Sequence, residues 1–559
     1  MATYRIHPGI GIARLGNSDT EFYLAPETPA GMPQACDAFG NGQVEADGIT
    51  PVPVSQFKDA EGRVKRQGAR FQIFVYDEAS PEGRPLKIGD PVEGGGNHGV
   101  LQDIQWRVYL ANKKASWYVF QETDGEHGYA PGHPRRNASV TDRDRLVIDP
   151  GPRIVDATAH RRARFDRAGA DDYATTFPPP DTQPFSINTL GELVTDDAGR
   201  LVVLGGHGRS GAEGFGPSGP RIADYANTDG WYDDTSDGPV MARLAMFSEE
   251  VGQVRYIDVE YPAWVVVGYP RFAPQILDMI TMDEVLQDLF IREYAADTSL
   301  YGQLGTFGDP EHIPFRDAGA MQHWRAGRLA WNRAWRPWFF RDIWPILFRP
   351  DEFRYLTDIL QQSNYPHDQA QRGTFDPDKL RRTPGSFGDE ALAAAEGYGR
   401  DASQGEAMVE TRARPAHGPG HDPYGPMRRF LFDLLRRSGE ENAFHLVDRV
   451  GSRVHDLPLM PLLAGDNPLS NVAPSKFLRL TDTQLFMLSQ WADGCFIDEK
   501  AEGWLPPDYS PFLPYPSTPP ATGRGLDRGV LANVLGGAFC PGGEVGWIMR
   551  NPSIYWDEY

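Results

Sequence analysis

The sequence predicts an α+β protein with sandwich-like antiparallel sheets in its first half and a mainly helical, loop-rich second half. Short runs of β-branched and aromatic residues, separated by turn signals, fill the chain up to about Pro270. Apolar residues at helical spacing begin near Pro274. Glycine (60 residues) and proline (48 residues) are frequent among the 559 residues, which indicates many turns and long ordered loops. We therefore expect a β-rich domain over residues 1–273 and a helical, loop-rich domain over residues 274–559.

Five strands are predicted in the first half. Few amphipathic helices interrupt them, which favours an antiparallel sandwich over a doubly wound parallel sheet. The predicted strands cover residues 69–76, 104–110, 116–120, 200–204 and 254–267. Two further segments, residues 177–180 (FPPP) and the glycine-rich residues 205–219, are expected to form long loops over this core.

Helical periodicity marks the second half. The predicted helices cover residues 276–294, 351–362, 427–437 and 480–493. Residues 324–348 carry five tryptophans, namely Trp324, Trp331, Trp335, Trp338 and Trp344. A tryptophan cluster at such spacing is expected to belong to the core rather than to a redox or ligand-binding box.

The helix near residue 480 has a defined start and end. Thr481 and Gln484 form a capping box, so the helix should begin there. Gly494 should end it and leave Asp493 and Cys495 at an irregular terminus. Spacings of three and four predict one buried face made of Leu485, Leu488, Ala492 and Cys495.

Charge and cysteine content exclude several classes of protein. The net charge is −22, from 55 basic and 77 acidic residues, and no basic stripe suits a nucleic acid. The N-terminus lacks the basic-then-apolar run of a signal peptide, and no run of 18 apolar residues predicts a membrane span. Three cysteines do not make a disulfide framework. We expect a reduced, cytoplasmic protein, with export by a route without a signal peptide left open.

Common cofactor and hydrolase motifs do not fit. Gly9, Gly11 and Gly16 have the wrong spacing for a dinucleotide loop, and no strand is expected to precede them so near the terminus. No Walker sequence, H-E-x-x-H or G-x-S-x-G is present. His417 and His421 are four residues apart but lie in a Gly/Pro-rich stretch rather than on a helix face. The sequence therefore predicts no metal site.

Segments at both ends of the chain carry a family resemblance. Residues 6–18 read IHPGIGIARLGNS, and residues 22–27 read FYLAPE. Further on, residues 460–468 read MPLLAGDNP, residues 491–494 read WADG and residues 540–547 read CPGGEVGW. In this order they resemble the signatures of the LodA-like family, the cysteine tryptophylquinone enzymes that include lysine ε-oxidase and glycine oxidase. The chain is identified as a member of that family.

The resemblance implies a cofactor made from the protein's own side chains. In the family, a tryptophan is oxidised to an ortho-quinone and joined to a cysteine by a thioether. The resemblance assigns the quinone to Trp547, the thioether to Cys495, the acid for maturation and catalysis to Asp493, and the upstream active-site histidine to His421. It implies oxidative deamination of a primary amine or amino acid with O2 as acceptor, giving an aldehyde or keto acid, ammonia and H2O2.

The spacing of the acid departs from the family pattern. The family's acid lies about one helical turn before the cysteine, and the residue four before Cys495 is Trp491. If Asp493 is that acid, the cysteine position falls on Ile497; if it is Asp498, the position falls on Glu502. Either Cys495 is a shifted partner or the cross-link is missing. Cys540, seven residues before Trp547, is a third alternative.

Partners and alternative functions follow from the same resemblance. It implies a flavoprotein maturation partner and a homo-oligomer, beside the small amine substrate and O2. One alternative is a quinone-less family member that acts as a redox or tailoring enzyme on a peptide or amine. Another is a non-catalytic binding protein that keeps the fold.

Overall fold

The computed structural model describes two compact units. Unit 1 consists of Met1–Phe272 with Thr518–Val534, and unit 2 consists of Ala273–Ser517 with Leu535–Tyr559. The domains predicted from the sequence are 1–273 and 274–559. Unit 1 differs from the first of these because it also contains Thr518–Val534. The described residues are 2–92, 99–119, 132–169, 173–213, 227–269, 280–294, 297–300, 319, 331–352, 377–383, 424–433, 435–437, 480–511 and 522–534.

Unit 1 contains the strands, as predicted for a β-rich first half. The described strands are β1 (Thr3–His7), β2 (Ile10–Arg14), β3 (Phe22–Leu24), β4 (Gln34–Ala35), β5 (Arg66–Tyr76), β6 (Arg84–Pro85), β7 (Pro91–Val92), β8 (Gly99–Val108), β9 (Arg153–Asp156), β10 (Arg162–Asp166), β11 (Gln183–Pro184), β12 (Thr189–Thr195), β13 (Leu201–Gly205), β14 (Ser210–Ala212), β15 (Trp231–Asp233), β16 (Ser236–Ser248), β17 (Gln253–Asp258) and β18 (Ala263–Gly268). Short 3₁₀ turns lie at Lys114–Ser116 and Arg143–Leu146.

Most of these strands join one large sheet. Its main path runs β10-β12-β13-β5-β2-β18-β16-β8-β7, and β11, β14 and β15 form a separate small sheet. The described strand pairs are antiparallel except β2 with β18 and β3 with β5. Strand β5 is the hub, because different parts of its eleven residues pair with β1, β2, β3, β6 and β13. The predicted antiparallel, β-rich architecture is confirmed.

The core of unit 1 lies on the inner faces of these strands. Trp106 is fully buried, and its indole N–H donates to the carbonyl of Gly199 at 2.9 Å, so burial leaves this polar group paired. Gly11 packs against Phe71, whose ring would lie 2.3 Å from an added Cβ. Glycine at this point of β2 therefore lets two strands approach closely.

Two strand predictions and one loop prediction need correction. Residues 254–267 form two strands, β17 and β18, because Pro262 has no N–H to continue a ladder. The described part of residues 116–120 holds an isolated bridge from Tyr118 to Arg135 rather than a strand. The glycine-rich stretch from residue 205 includes strand β14 in its described part.

The expectation that no strand precedes Gly9 is wrong. Strand β1 ends at His7 and pairs with β5, and a second strand, β2, follows where a dinucleotide fold has a helix.

A helix from near the end of the chain packs against the first two strands. Asp527 accepts hydrogen bonds from the backbone N–H of Gly9 (2.7 Å) and from Nδ1 of His7 (2.9 Å). The hydroxyl of Tyr76 bonds the other ring nitrogen of His7 at 2.8 Å. The His7–Asp527 contact joins residues 520 apart in sequence. The histidine of the IHPG segment therefore links strand β1 to this helix.

Unit 2 contains the described helices α1 to α5. They are α1 (Met282–Tyr294), α2 (Trp344–Glu352), α3 (Pro377–Leu380), α4 (Gly425–Asp433) and α5 (Asp482–Ala492), and α6 (Gly523–Leu531) belongs to unit 1. A 3₁₀ turn covers Thr298–Leu300, and a π-helix at Phe339–Ile343 leads into α2. Among the described residues, no helix is long and apolar enough to cross a membrane.

The helix predictions agree with these bounds where they are described. Helix α1 starts later than the predicted residue 276 because Thr281 and Glu284 cap it reciprocally: Thr281 N–H donates to Glu284 at 2.6 Å and Glu284 N–H donates to the Thr281 hydroxyl at 3.4 Å. Helix α4 begins two residues before the predicted segment 427–437, and helix α5 lies inside the predicted segment 480–493. Only the first two residues of the predicted helix 351–362 are described, and they close α2.

Candidate functional site

Helix α5 is fixed at its N-terminus by the predicted capping box. The hydroxyl of Thr481 accepts the N–H of Gln484 at 3.2 Å, and the side chain of Gln484 accepts the N–H of Thr481 at 3.0 Å. Asp288 of α1 accepts the N–H of Thr483 at 2.9 Å, so a carboxylate lies at the positive end of the helix. The helix start is therefore both capped and charge-matched.

The C-terminal end of α5 is a Schellman motif. Asp493 is the C-cap, and Gly494 follows in the left-handed region with φ of +78°. The N–H of Gly494 donates to the carbonyl of Trp491 at 3.0 Å, and the N–H of Cys495 donates to the carbonyl of Gln490 at 2.8 Å. These two bonds define the motif. The prediction that Gly494 ends the helix is confirmed, and Cys495 has a fixed backbone position.

The predicted buried face of α5 is only partly correct. Leu488 and Ala492 are buried, but Leu485 and Cys495 are half-buried. The helix is packed on most sides, since Phe486, Met487 and Trp491 are buried as well. The spacing of the aliphatic residues alone does not predict these buried positions, because aromatic and polar side chains of α5 also face the core.

The thiol of Cys495 lies between a side-chain amide and a backbone carbonyl. Its sulfur is 3.6 Å from Nε2 of Gln490 and 3.9 Å from the carbonyl oxygen of Arg333. The same Gln490 nitrogen donates to the carbonyls of Arg333 (2.8 Å) and Trp335 (2.7 Å). Cys495 carries no disulfide, so its sulfur is a free thiol in a polar, half-buried setting.

Asp493 is paired with a guanidinium. Its carboxylate contacts Arg429 of α4, and the two side chains are 44% and 49% exposed respectively. The predicted acid is thus solvent-accessible and lies two residues before the Cys495 thiol. Asp493 and Cys495 of the sequence-predicted set therefore lie on the same turn at the end of α5.

The position one turn before Cys495 is a core tryptophan. Trp491 is fully buried, and its indole N–H donates to the carbonyl of Leu380 at 3.1 Å. Arg428 of α4 is also fully buried, and it donates to the carbonyl of Trp491 at 2.9 Å and lies over the ring of Phe496. The departure from the family spacing is therefore built into the packing of α5.

Residues 331–344, here called the tryptophan-rich segment, line one side of this helix end. Trp331 stacks on Phe486 with ring centroids 4.5 Å apart, and Trp335 tilts against the same ring at 6.0 Å. Trp338 contacts the exposed Trp504 at 5.3 Å. Of the described tryptophans in the segment, only Trp344 is a core residue, so the core prediction is wrong for the others, while Trp324 lies outside the described residues.

The chain after Cys495 pairs with the tryptophan-rich segment. Ile497 exchanges backbone hydrogen bonds with Pro337 (2.9 Å) and Phe339 (3.0 Å). Arg336 donates to the carbonyl of Phe496 at 2.7 Å. The thiol-bearing turn is therefore held from both sides, by α5 and by this segment.

Two buried acids follow this pairing, and one has an unusual pKa. Asp498 is buried and paired with Arg381 at 2.7 Å. Glu499 is fully buried, and its carboxylate accepts the N–H groups of Phe340 (2.9 Å) and Arg341 (3.0 Å) at the start of the π-helix. Burial raises the pKa of Glu499 to about 7, although these N–H groups oppose the shift. Sequence reasoning missed Glu499, since no periodic pattern marks it.

A second group of buried acids lies in unit 1. Lys114 donates to Asp233 at 2.7 Å. Burial alone would raise the pKa of Asp233, but the ammonium of Lys114 and the hydrogen bonds to the carboxylate lower it below its ordinary value. Burial raises the pKa of the adjacent Asp234 to about 7. Asp234 accepts the backbone N–H groups of His207 (2.7 Å) and Arg209 (3.0 Å). Because these acids are bonded to main chain and neighbouring side chains, they stabilise the strand ends of unit 1.

Cys36, the other described cysteine, has a different environment. It lies in unit 1, its thiol donates to the carbonyl of Phe22 at 3.6 Å, and burial raises the pKa of this thiol to about 12. Such a thiol is unreactive. Trp547, His421 and Cys540 lie outside the described residues. Within the described ranges, no three His, Cys, Asp or Glu side chains form a group that could hold a metal ion.

Comparison with known proteins identifies relatives. Residues 7–267 match the model described as L-lysine epsilon oxidase N-terminal, and residues 461–559 match the L-lysine epsilon oxidase C-terminal domain, both named LodA. The L-lysine 6-oxidase of Marinomonas mediterranea is 29% identical over 99% of this chain. The chain spans 64% of the length of that curated relative.

Solved structures of the same relative resemble this fold. The ε-lysine oxidase of Marinomonas mediterranea matches with a TM-score of 0.66 at 26% identity. The structure of its Schiff base intermediate with L-Lys matches with a TM-score of 0.64 at 26% identity. In both cases the match covers 99% of this chain and 68% of the other chain.

Proposed function

This chain belongs to the LodA-like family, and from that premise we propose that it catalyses the oxidative deamination of a primary amine or amino acid with O2. The observation that carries the proposal is the fixed, free thiol of Cys495 two residues after an accessible carboxylate, at the end of a helix that the family model covers. The overall reaction converts R–CH2–NH2, O2 and H2O into R–CHO, NH3 and H2O2. The carbon bearing the amine loses two electrons, and O2 gains them.

Cysteine tryptophylquinone is the proposed cofactor, formed from Trp547 and Cys495. Two properties of Cys495 fit a thioether partner: its sulfur forms no disulfide, and the Schellman turn fixes its backbone. Cys36 does not fit, because burial raises the pKa of its thiol to about 12 and such a thiol is unreactive. When present, the quinone supplies an electrophilic carbonyl for an amine and a store for two electrons.

Asp493 is the proposed proton acceptor. A carboxylate that removes a proton from carbon must be ionised and reachable. Asp493 is accessible to solvent, and its carboxylate contacts the guanidinium of Arg429. The proposal also gives His421 an active-site role, carried over from the family resemblance.

Substrate and partners follow from the relatives. L-Lysine is the first substrate to test, because the relative's name and its structure with L-Lys specify that amino acid. We also propose a flavoprotein partner for maturation and a homo-oligomeric assembly.

One observation favours a second candidate. The residue one turn before Cys495 is the fully buried Trp491 rather than an acid, so a family member without the mature quinone is the alternative. Such a protein is a redox or tailoring enzyme acting on a peptide or amine.

The test is a turnover assay on protein co-produced with a neighbouring flavoprotein, where one is encoded. O2 uptake, ammonia and H2O2 are measured with L-lysine and a panel of primary amines. We expect equal amounts of the three and their loss in Trp547→Phe, with Cys36→Ser as the control that retains them. Peroxide production that survives Trp547→Phe contradicts the quinone mechanism; a cross-linked wild-type protein that is inert towards every amine contradicts the oxidase.

A further inference from the structure

Gln490 contacts Cys495 through both its backbone and its side chain. Its backbone carbonyl accepts the N–H of Cys495 at 2.8 Å, and its side-chain Nε2 lies 3.6 Å from the Cys495 sulfur. Gln490 is 2% exposed, so its amide is directed to these partners rather than to water. One residue therefore sets the position of both the backbone and the sulfur of Cys495.

The amide of Gln490 is itself held by the tryptophan-rich segment. It donates to the carbonyls of Arg333 and Trp335 at 2.8 and 2.7 Å. A primary amide carries two N–H groups, and three acceptors share them here. The two short bonds to the carbonyls fix the plane of the amide, and the contact with the sulfur is the longer branch of a three-centre bond. The carbonyl of Arg333 also accepts from the thiol, at 3.9 Å.

The two contacts of the sulfur favour different protonation states. A carbonyl oxygen accepts only from the thiol form, whereas an N–H group donates to a thiolate. Among the described contacts of this sulfur, Gln490 is the donor. The thiolate, rather than the thiol, is the reactive form of a cysteine.

We propose that Gln490 is a positioning residue: it orients the sulfur of Cys495 against residues 333–335 and supplies the hydrogen-bond donor for its thiolate. The inference deepens the proposed function, on which it rests for the assignment of Cys495 to the cross-link. It also gives the tryptophan-rich segment a role, because the main chain of that segment is the support on which the amide is fixed.

Other charges act on the same sulfur and stay constant in the test. The charged side chains on the tryptophan-rich segment, on residues 428–429 of α4 and on residues 493–502 are those of Arg333, Arg336, Arg341, Asp342, Arg428, Arg429, Asp493, Asp498, Glu499, Lys500 and Glu502. None of them is altered when Gln490 is replaced, so a change in reactivity reports on the amide.

The test uses the full chain produced without a flavoprotein, so that the thiol is unmodified. Iodoacetamide alkylation of Cys495 is followed by peptide mass mapping as a function of pH in wild type and Gln490→Met. Methionine matches the length of glutamine but has no N–H. We expect the pH of half-maximal alkylation rate to rise by roughly one unit, because a hydrogen bond to a charged group is lost.

Ser489→Ala is the matched control. Ser489 is the preceding residue on α5, and its hydroxyl donates to the carbonyl of Phe486 at 2.7 Å rather than to the sulfur. Its alkylation profile should match wild type. If Gln490→Met does not fold, Gln490→Asn makes the same test, since it keeps an amide but shortens its reach by one methylene.

A second readout follows maturation directly. In protein co-produced with the flavoprotein, the yield of a peptide pair joined through Cys495 should fall several-fold in Gln490→Met and stay at the wild-type level in Ser489→Ala. A folded Gln490→Met or Gln490→Asn variant with the wild-type alkylation profile overturns the inference and leaves the quinone proposal standing. A cross-link to Cys540 in the wild type contradicts the assignment of the thioether to Cys495. It does not affect the alkylation result, because alkylation is measured on protein without the cross-link.

Discussion

The carboxylate of Asp493 pairs with the guanidinium of Arg429 at the C-terminal end of α5. Asp493 is the C-cap, where the carbonyl groups of the helix already concentrate negative charge, so its own charge opposes the helix dipole. Arg429 offsets that repulsion. An acid in this place adds little to the stability of the helix, which agrees with a role in proton transfer.

Asp493→Asn separates chemistry from folding. Loss of the proposed proton acceptor should lower oxidase turnover by about 10²- to 10⁴-fold. The unfolding free energy should change by less than about 1 kcal/mol, because both partners of the ion pair are about half exposed. Steady-state kinetics and urea unfolding check the two parts.

Glu502→Gln is the matched control for this prediction. Glu502 pairs with Arg336 at 3.2 Å, and both side chains are similarly exposed, so turnover and stability should stay at wild-type levels. Wild-type turnover in Asp493→Asn contradicts the role given to Asp493.

Gly494 should tolerate asparagine better than alanine. At a φ of +78°, a Cβ clashes with the backbone, and the cost for alanine is about 1 kcal/mol. Asparagine enters the left-handed region more readily. We expect Gly494→Ala to lower both the urea midpoint and the yield of cross-linked Cys495, with Gly494→Asn intermediate. Equal yields in Gly494→Ala and wild type would show that the Schellman turn does not position the thiol.

Glu499 should make the protein less stable as the pH rises. Its pKa is raised by burial from 4.5 to about 7, so the folded state binds more protons than the unfolded state between these values. The stabilisation is complete below pH 4.5 and is lost as the pH passes through 7, by on the order of 3 kcal/mol. Glu499→Gln should flatten this fall in the urea midpoint between pH 5 and pH 8.

Asp234→Asn gives the comparison in unit 1. The pKa of Asp234 is also raised to about 7 by burial, so this variant should remove a separate part of the same pH dependence. If the urea midpoint of Glu499→Gln falls between pH 5 and pH 8 as steeply as that of wild type, Glu499 does not titrate in this range.

Phe486 and Trp504 should differ sharply in their contribution to stability. Phe486 is 4% exposed and stacks on Trp331 at 4.5 Å, so Phe486→Ala should cost about 3–5 kcal/mol. Trp504 is 65% exposed, and Trp504→Ala should cost less than about 1 kcal/mol. Urea unfolding followed by circular dichroism measures both, and similar losses for the two variants contradict the packing described for the tryptophan-rich segment.

Local signals in the sequence predicted the parts of the fold that local chemistry determines. Thr481, Gln484 and Gly494 mark the two ends of α5 because each acts on backbone groups within a few residues. The β-rich first half follows from residue types that pack well on pleated surfaces.

Contacts between distant parts of the chain were not predictable in this way. The contact of Asp527 with His7 joins residues 520 apart, and no periodic pattern encodes it. The tryptophan-rich segment was mistaken for core because helical spacing was assumed where the chain is irregular before the π-helix. Glu499 and the support of Gln490 by residues 333 and 335 depend on the same tertiary pairing.

The most direct test of the account is the intact mass and peptide map of protein co-produced with the flavoprotein. We predict a gain of about 28 Da, from two added oxygens and four lost hydrogens, on a cross-linked peptide pair that contains Trp547 and Cys495. An unmodified Trp547 after co-production, or a thioether to Cys540, would contradict the proposed site.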